Sequence, residues 1–428
     1  MNFDHKSILK LQAQTGLLWE NKEEKIEKEI ASGKLHFKQV PSKTLNRTAI
    51  CQHRLIEGDN LAALHLLEEK SEKFDVIYID PPYNTGNKDF RYNDHYVDNE
   101  DALRHSKWIS FMAKRLVYAH SLLNEDGAIF ISIDDYEHAR LKVLCDGVFG
   151  QKNFVANFIR KNKSGSGHDS KQIAVEFDYV LCYAKDIQRL RFKQEIVNVK
   201  KDSKYRYKDD HYKRRGSYYL RDLDYKGSYS PSMDYPIECP DGSKIYAGAT
   251  YGKPNTWRWN EEKFQWGVRN DFIVFKPRAN GWKVYIKQYQ FVDNQDRKRV
   301  RKLPHRAIIE YSNAQGSKEL KNVLPQDIFT YPKPTGLMRF ILQLFENKEV
   351  RFLDFFAGSG SSMHACMLQN DQDGGKRECT LITNNENSIC EKVTYPRNKK
   401  VIEGYINEQN KAVNALNNNG LRYFRIAR

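Results

Sequence analysis

The feature that most restricts the fold is a short apolar run, Phe74–Ile79, that stops abruptly at Asp80-Pro81-Pro82. Its length is that of a strand, and a strand apolar but for one residue near its start, Asp75, reads as buried on both faces, as in a parallel sheet covered by helices. The flanking sequence has the matching signals. Residues 54–58 read as a strand and 60–70 as a helix with Leu61, Leu64 and Leu66/Leu67 on one side. A longer helix sets Trp108, Phe111/Met112, Leu116, Ala119 and Leu122/Leu123 at three-to-four spacing and closes at Gly127. Residues 128–133 form another buried strand, with a helix expected over 135–149. The alternation resumes near the end of the chain: a helix over 336–346, a strand over 350–355, a glycine turn, a helix over 361–368, a strand over 379–383 and a last helix from about Asn398. Strand–helix alternation of this kind predicts an α/β fold with a doubly wound, mostly parallel sheet. Four regions follow: a polar, helical N-terminal extension (1–50), one half of the sheet domain (51–160), a long insert (161–325) and the second half (326–428).

The insert differs in chemistry from its surroundings. The 428-residue chain carries 70 Lys and Arg against 55 Asp and Glu, a net +15. Residues 185–310 alone hold 29 of those cations and 16 of the acids, so +13 of the charge falls there. The same segment contains 12 of the 25 Tyr and four of the six Trp: Trp257, Trp259, Trp266 and Trp282. Cations neutralise phosphates, and aromatic or Arg planes stack on bases, so DNA contact is assigned to residues of 185–310 as a group. With 25 Tyr and 22 Phe the chain is not disordered by composition. No apolar run reaches the roughly 18–20 residues of a membrane helix, and the first twenty residues do not read as a signal peptide. The seven cysteines include no C-x-x-C pair, so neither a zinc site nor a disulfide framework is expected, and reduced thiols in a bacterial cytoplasm are.

Asp80-Pro81-Pro82-Tyr83, continued by Asn84-Thr85-Gly86, falls where open α/β sheets bind ligands, beyond the carboxyl end of a strand. The prolines fix the backbone and donate no hydrogen bonds, leaving carbonyls as acceptors. A carboxylate, a carbonyl and an aromatic face make a cradle for a planar, amine-bearing base. A strand-ending Pro-Pro turn is the bland alternative. The second motif, Phe355-Phe356-Ala357-Gly358-Ser359-Gly360-Ser361-Ser362, turns from a buried strand into a helix. Its glycines permit a tight turn and close approach of a ligand to free helix N–H groups. At the next strand end, Thr383-Asn384-Asn385-Glu386 offers an acid suited to a ribose diol.

Together these segments resemble the S-adenosylmethionine-dependent DNA amino-methyltransferases of the β class. In that class the Asp-Pro-Pro-Tyr half precedes the Phe-x-Gly-x-Gly half. The class is typical of modification subunits of type III and many type II restriction–modification systems. The likeness extends to Glu57-Gly58-Asp59-Asn60-Leu61, to the stretch from Ser106-Lys107-Trp108 through Asp134-Asp135, and to Tyr331-Pro332-Lys333-Pro334-Thr335-Gly336-Leu337. It implies a Rossmann-like methyltransferase sheet in circularly permuted order, with the insert as target-recognition region.

The resemblance implies roles as well. Asp80 and the Pro81 carbonyl would accept hydrogen bonds from the amine of a flipped base, with Pro82 holding the turn and Tyr83 stacking on the ring. Asp59 would contact the cofactor adenine, Phe356, Gly358 and Gly360 the methionine end, Lys333 and Thr335 the carboxylate end, and Glu386 the ribose. Asp354 and Ser359 complete the cofactor set. Asp80 favours adenine-N6 over cytosine-N4, where relatives more often carry Ser. Double-stranded DNA, a separate restriction endonuclease subunit and a second copy of the chain are the implied partners. Ser361-Ser362 replaces the usual Thr-Thr, and Asn384-Asn385-Glu386 leaves open which residue takes the ribose. The alternatives are a cytosine-N4 enzyme and a recognition subunit that no longer turns over.

Overall fold

The computed structural model describes all residues except 1–9, 11, 13–14, 87–90, 93–94, 97–100, 164–172, 197–202, 226, 249–254, 280 and 325–327; of 91–92 and 95–96 only the backbone is described. The chain divides into two compact units, residues 1–193 with 306–428, and residues 194–305.

The first unit is built on a ten-stranded sheet. Its strands are β1 (His36–Gln39), β2 (Cys51–Glu57), β3 (Phe74–Ile79), β4 (Leu123–Ile133), β5 (Phe154–Lys161), β6 (Phe177–Ala184), β7 (Ile308–Glu310), β8 (Arg351–Asp354), β9 (Glu378–Thr383) and β10 (Asn419–Ala427). Its helices are α1 (Lys25–Ala31), α2 (Asn60–Glu69), α3 (Arg104–Leu122), α4 (His138–Cys145), α5 (Asn313–Val323), α6 (Thr335–Gln343), α7 (Ser361–Asp373) and α8 (Tyr395–Glu403). The spatial order is β1-β10-β2-β9-β8-β3-β4-β6-β5-β7. From β10 to β4 every neighbour is parallel. β6 runs against both β4 and β5, and β1 against β10.

The two halves of this unit interleave. β8 and β9, from the C-terminal half, lie between β2 and β3 of the N-terminal half. The chain proceeds outward from β3 to β4 in one direction and from β8 to β9 in the other, so the β3/β8 boundary is a topological switch point, where open α/β sheets bind ligands. The apolar strands explain the layering. Along β3, Ile77 and Ile79 point into one core with Leu61 and Leu64 of α2 and Trp108, Met112 and Leu116 of α3. Val76 and Tyr78 point into the opposite core with Leu337, Met338 and Ile341 of α6 and Met363 and Cys366 of α7. N-terminal helices therefore cover one face and C-terminal helices the other. Each such aliphatic side chain contributes about 1.5–3 kcal/mol by burial, which holds the two halves to one sheet.

Three expectations change. The 1–50 extension contains, besides α1, the strand β1, which pairs with β10 near the other end of the chain. Strands β5, β6, β7 and β10 had no strand reading, and β5–β7 extend the sheet past β4. The insert contracts accordingly, since the compact second unit spans 194–305 rather than 161–325.

The second unit has its own three-stranded antiparallel sheet, with Gly281–Tyr289 between Tyr218–Asp222 and Ile273–Arg278. Its longer helix, Glu261–Arg269, is capped by the Asn260 side chain accepting from Lys263 N–H. Trp257 and Trp259 are buried in its core with Leu223, Tyr235, Phe264, Phe272 and Ile286, and Trp266 packs against that core. The indole N–H of Trp257 donates to the Tyr235 carbonyl at 2.8 Å. Burial, rather than base stacking, accounts for these three tryptophans. Exposed Tyr207, Tyr212, Tyr225, Tyr229 and Tyr246 remain as the aromatic surface.

Candidate active site

Four strand ends lie in a row at the carboxyl edge: β2, β9, β8 and β3. Parallel registers align them, with Glu57 opposite Thr383, Asp354 opposite Leu381 and Leu353 opposite Ile77. Asp59, the Thr383–Glu386 turn, the glycine loop and Asp80 are thereby brought to one edge from four separate sequence segments.

At the β3 end, both Asp80 carboxylate oxygens accept from Lys333 Nζ at 2.7 Å. The Tyr83 hydroxyl donates to Asp80 Oδ1 at 3.0 Å and accepts from Lys333 at 3.0 Å. Burial, and then the neighbouring Asp80 charge, push the Tyr83 phenol well above its usual range, so it stays protonated as a donor. The Pro82 carbonyl accepts the Trp108 indole N–H at 2.7 Å. Among the described residues nothing donates to the Pro81 carbonyl, which leaves it as an acceptor for a ligand.

Behind this turn, Asn84 adopts a left-handed φ of 58° and is buried. Its amide donates to Glu137 Oε1 at 2.5 Å, and His105 Nδ1 reaches the same oxygen at 2.5 Å. Arg104 Nε donates to His105 Nε2 at 3.2 Å, which fixes the proton on Nδ1. Glu137 thus ties the chain after Asp80-Pro81-Pro82-Tyr83 to α3. Sequence reasoning does not single it out, since nothing local links it to partners 32 and 53 positions away.

The glycine loop is held from inside and from behind. The buried Asp354 carboxyl accepts the Phe356 N–H at 3.0 Å and the Ser362 hydroxyl at 2.5 Å, bracketing the loop. Burial pushes its pKa up to about 7 against these two bonds. Gly358 and Gly360 both have positive φ, 49° and 74°. A Cβ on Gly360 would sit 2.4 Å from Asn398 Nδ2, so α8 packs directly against the loop. Thr394 Oγ1 donates to the Gly358 carbonyl at 2.6 Å. In front, Asn60 donates to the Phe355 carbonyl at 2.9 Å, Arg115 Nε donates to Asn60 at 2.6 Å, and Arg115 is forked on Glu24 at 2.8 and 2.9 Å. The Phe111 ring, 3.5 Å below the Arg115 guanidinium, lies 5.9 Å from Phe356.

Residues 74–395 match the sequence profile of a family described as DNA methylase. The chain belongs to this family. It is 31% identical over 83% of its length to the Mod subunit of the type III restriction–modification enzyme StyLTI of Salmonella typhimurium, and 30% identical, over 83%, to that of EcoPI from Escherichia phage P1. It spans 56% and 60% of those two proteins, so somewhat over half of their length. It is also 33% identical to the type II methyltransferase M.KpnI of Klebsiella pneumoniae, over 77% of this chain and 79% of that one.

The remaining expected site residues of this DNA methylase take the following places. Lys333, expected at a cofactor carboxylate, has its ammonium on Asp80, because the segment before α6 passes beside the β3 end. Asp59 Oδ1 caps α2, accepting from Leu61 and Ala62 N–H at 2.8 and 3.3 Å, and its Oδ2 lies 3.9 Å from Arg115 Nη2. The Thr335 N–H donates to Glu319 Oε2 at 2.7 Å, and its side chain is buried. The Ser359 hydroxyl accepts from Arg397 Nη1 at 3.1 Å. Glu386 is half-buried and sits in a turn whose next two residues, Asn387 and Ser388, have positive φ. All seven cysteines are free and buried. No described helix is long and apolar enough to cross a membrane.

Proposed function

We propose that this DNA methylase transfers a methyl group from S-adenosylmethionine to the exocyclic N6 of an adenine flipped out of double-stranded DNA. The observation that carries the reading is the switch point itself. Asp80, the open Pro81 carbonyl and Tyr83 end one strand, and the glycine loop ends the strand beside it. The cofactor suits its residues. The loop has two glycines at positive φ and opens α7, whose first N–H groups are free donors, and acidic Asp59 and Glu386 flank it for adenine and ribose contacts. When bound there, S-adenosylmethionine supplies an electrophilic methyl on sulfonium.

The rest is the work of this chain. An amine inside a duplex cannot be reached, so the base must turn out into the site, where Tyr83 offers a ring to stack on. A carboxylate has about four acceptor directions. Lys333 takes two at Asp80 and the Tyr83 hydroxyl a third, which leaves one for the amine while the Pro81 carbonyl takes its second N–H. Two such bonds draw the nitrogen lone pair out of conjugation with the ring and aim it at the methyl group. After transfer the nitrogen carries an excess proton, and the Asp80 carboxylate is the base within reach. Lys333 holds that carboxylate in place beforehand. Catalysis is then orientation and charge placement, with no covalent enzyme intermediate. No cysteine is available for one, since all seven are buried.

The similarity to Mod subunits supports placing the chain as the modification component of a restriction–modification system, with cleavage on a separate subunit and with a second copy of itself as partner. The cationic second unit is the DNA-reading part in this scheme. Digesting treated DNA to nucleosides and weighing them tests the reaction. N6-methyladenine is expected, whereas N4-methylcytosine as the sole product would refute the adenine assignment. Single-molecule sequencing of host DNA with and without the gene would give the target sequence. Sedimentation of the purified protein, in which a monomer would count against self-association, tests the dimer.

A further inference from the structure

Among the described residues, four arginines are fully enclosed in the sheet-bearing unit: Arg115, Arg160, Arg377 and Arg397. Three have a carboxylate against the guanidinium. Arg115 is forked on Glu24, Arg160 on Asp178, and Arg377 on Asp373. Arg397, on α8, forms no ion pair among the described residues. Its Nη1 donates to the Ser361 hydroxyl at 2.8 Å, to the Ser359 hydroxyl at 3.1 Å and to the Ser359 carbonyl at 3.5 Å. Its Nε points at His364 Nδ1, 3.4 Å away, on an imidazole that burial and Arg397 itself hold neutral. Its Nη2 has no partner among the described residues. Glu319 acts on it only through space and is engaged by the Thr335 N–H. A buried, uncompensated cation is costly unless something answers its charge.

The position of that cation suggests what answers it. Ser359 lies in the glycine loop, and Ser361 is the first residue of α7, so Arg397 stands directly behind the loop at a helix N-terminus. By donating to both hydroxyl oxygens it occupies their acceptor side. The two oxygens are 3.1 Å apart, so one hydroxyl proton spans them and the other is left to point elsewhere. The free N–H groups of α7 add partial positive charge at the same place. Asp354, the acid bracketing the loop, is raised to about 7, so at neutral pH it is only about half ionised and cancels only part of this charge.

On the reading of the site as an S-adenosylmethionine site, we infer that Arg397 is a positioning residue whose missing counter-charge is the cofactor's α-carboxylate, felt through the Ser359 and Ser361 hydroxyls and the α7 N-terminus. Arg397 touches no ligand, being sealed behind the loop. It polarises the donors that do. The cofactor binds more tightly for carrying a carboxylate, and the enclosed charge is balanced only when the loop is filled.

Calorimetry without DNA separates this role from simple packing, using S-adenosylmethionine and its decarboxylated form, which keeps the sulfonium and the amine. Arg397→Met is expected to weaken binding of the first by about tenfold, the scale of one charge-assisted bond, and to leave the second unchanged. Arg397→Lys is expected to restore most of the loss. Ser361→Ala, which leaves the guanidinium in place, is expected to show the same selectivity to a smaller degree and serves if the Met variant fails to fold. Equal loss for the two ligands, or none, in a folded variant overturns the inference alone. Failure of either ligand to bind the unaltered protein overturns the cofactor reading and the inference with it.

Discussion

Asp354 gives the stability of this protein a pH dependence that one substitution should remove. Its carboxyl is fully buried, and burial raises its pKa to about 7, against an ordinary value of about 3.9. The folded protein therefore binds this proton more tightly than the unfolded chain does. The associated stability is present in full below about pH 4 and is lost as pH rises through 7. With each pKa unit worth about 1.4 kcal/mol, the loss between pH 5 and pH 8 amounts to about 2.5 kcal/mol. Asp354→Asn keeps the shape and an oxygen for the Phe356 N–H, and the Ser362 hydroxyl need only turn to accept from the new amide. The amide does not titrate. Urea unfolding of both proteins at pH 5, 6.5 and 8 isolates the effect, because every other group titrates alike in the two. The stability of the variant relative to the parent should rise by about 2.5 kcal/mol from pH 5 to pH 8, nearly all of it between 5 and 7. A difference that stays flat over that range would mean the carboxyl is charged throughout and that burial does not govern it.

Asp80→Ala should abolish methyl transfer while leaving S-adenosylmethionine affinity within a few-fold, because Asp80 faces Lys333 and Tyr83 and not the glycine loop; single-turnover transfer from labelled cofactor checks it, and a rate near that of the parent would remove Asp80 from catalysis. Gly360→Ala places a methyl group 2.4 Å from Asn398 Nδ2 at a φ of 74°, and should cost about 1–3 kcal/mol in urea unfolding together with weaker cofactor binding; parent-like values for both would show that α8 does not confine the loop. In the second unit, replacing the exposed Lys298, Arg299 and Lys302 by Ala should lower the slope of log K against log salt by about 0.9 for each phosphate left without its cation. Duplex binding titrated from low to high salt reads this directly, and an unchanged slope would place the phosphate-binding cations elsewhere.

What could be read in the sequence and what could not divide along the range of the interaction. The strand Phe74–Ile79, the turn after it and the Gly358–Gly360 loop are written in contiguous residues, by apolar runs that admit no polar face and by residues that fix or free the backbone. The order of the strands is not. No local pattern tells that β8 and β9 enter between β2 and β3, yet this places the glycine loop beside Asp80 and makes one site of two distant motifs. Lys333 is 253 residues from Asp80 and Arg397 is 36 from Ser361, and each meets its partner through that same topology. The edge strand β1 and its neighbour β10 carry no local signal because β10 comes from the far end of the chain and pairs with β1 on one side and β2 on the other.

The charge of the second unit changes meaning for a similar reason. Counted along the sequence, its lysines and arginines form one pool opposed to phosphate. In space, several are already committed: Lys287 to Asp209 and Asp271, Arg215 and Arg214 to Asp296, Lys283 to Asp222. Lys287 and Arg215 are nearly buried, so their task is to hold the small sheet and its flanking loops together. An exposed ion pair is worth little, and a cation already held by an acid releases fewer counterions on meeting DNA. The same unit also commits Trp257 and Trp259 to its core. On the proposed reading, its DNA-facing part is then smaller than the composition implies, made of the cations left in solvent together with exposed tyrosines such as Tyr207, Tyr225 and Tyr246. Alanine at Lys298, Arg299 and Lys302 should then act on DNA affinity with little change in stability, whereas alanine at Lys287 should act on stability first.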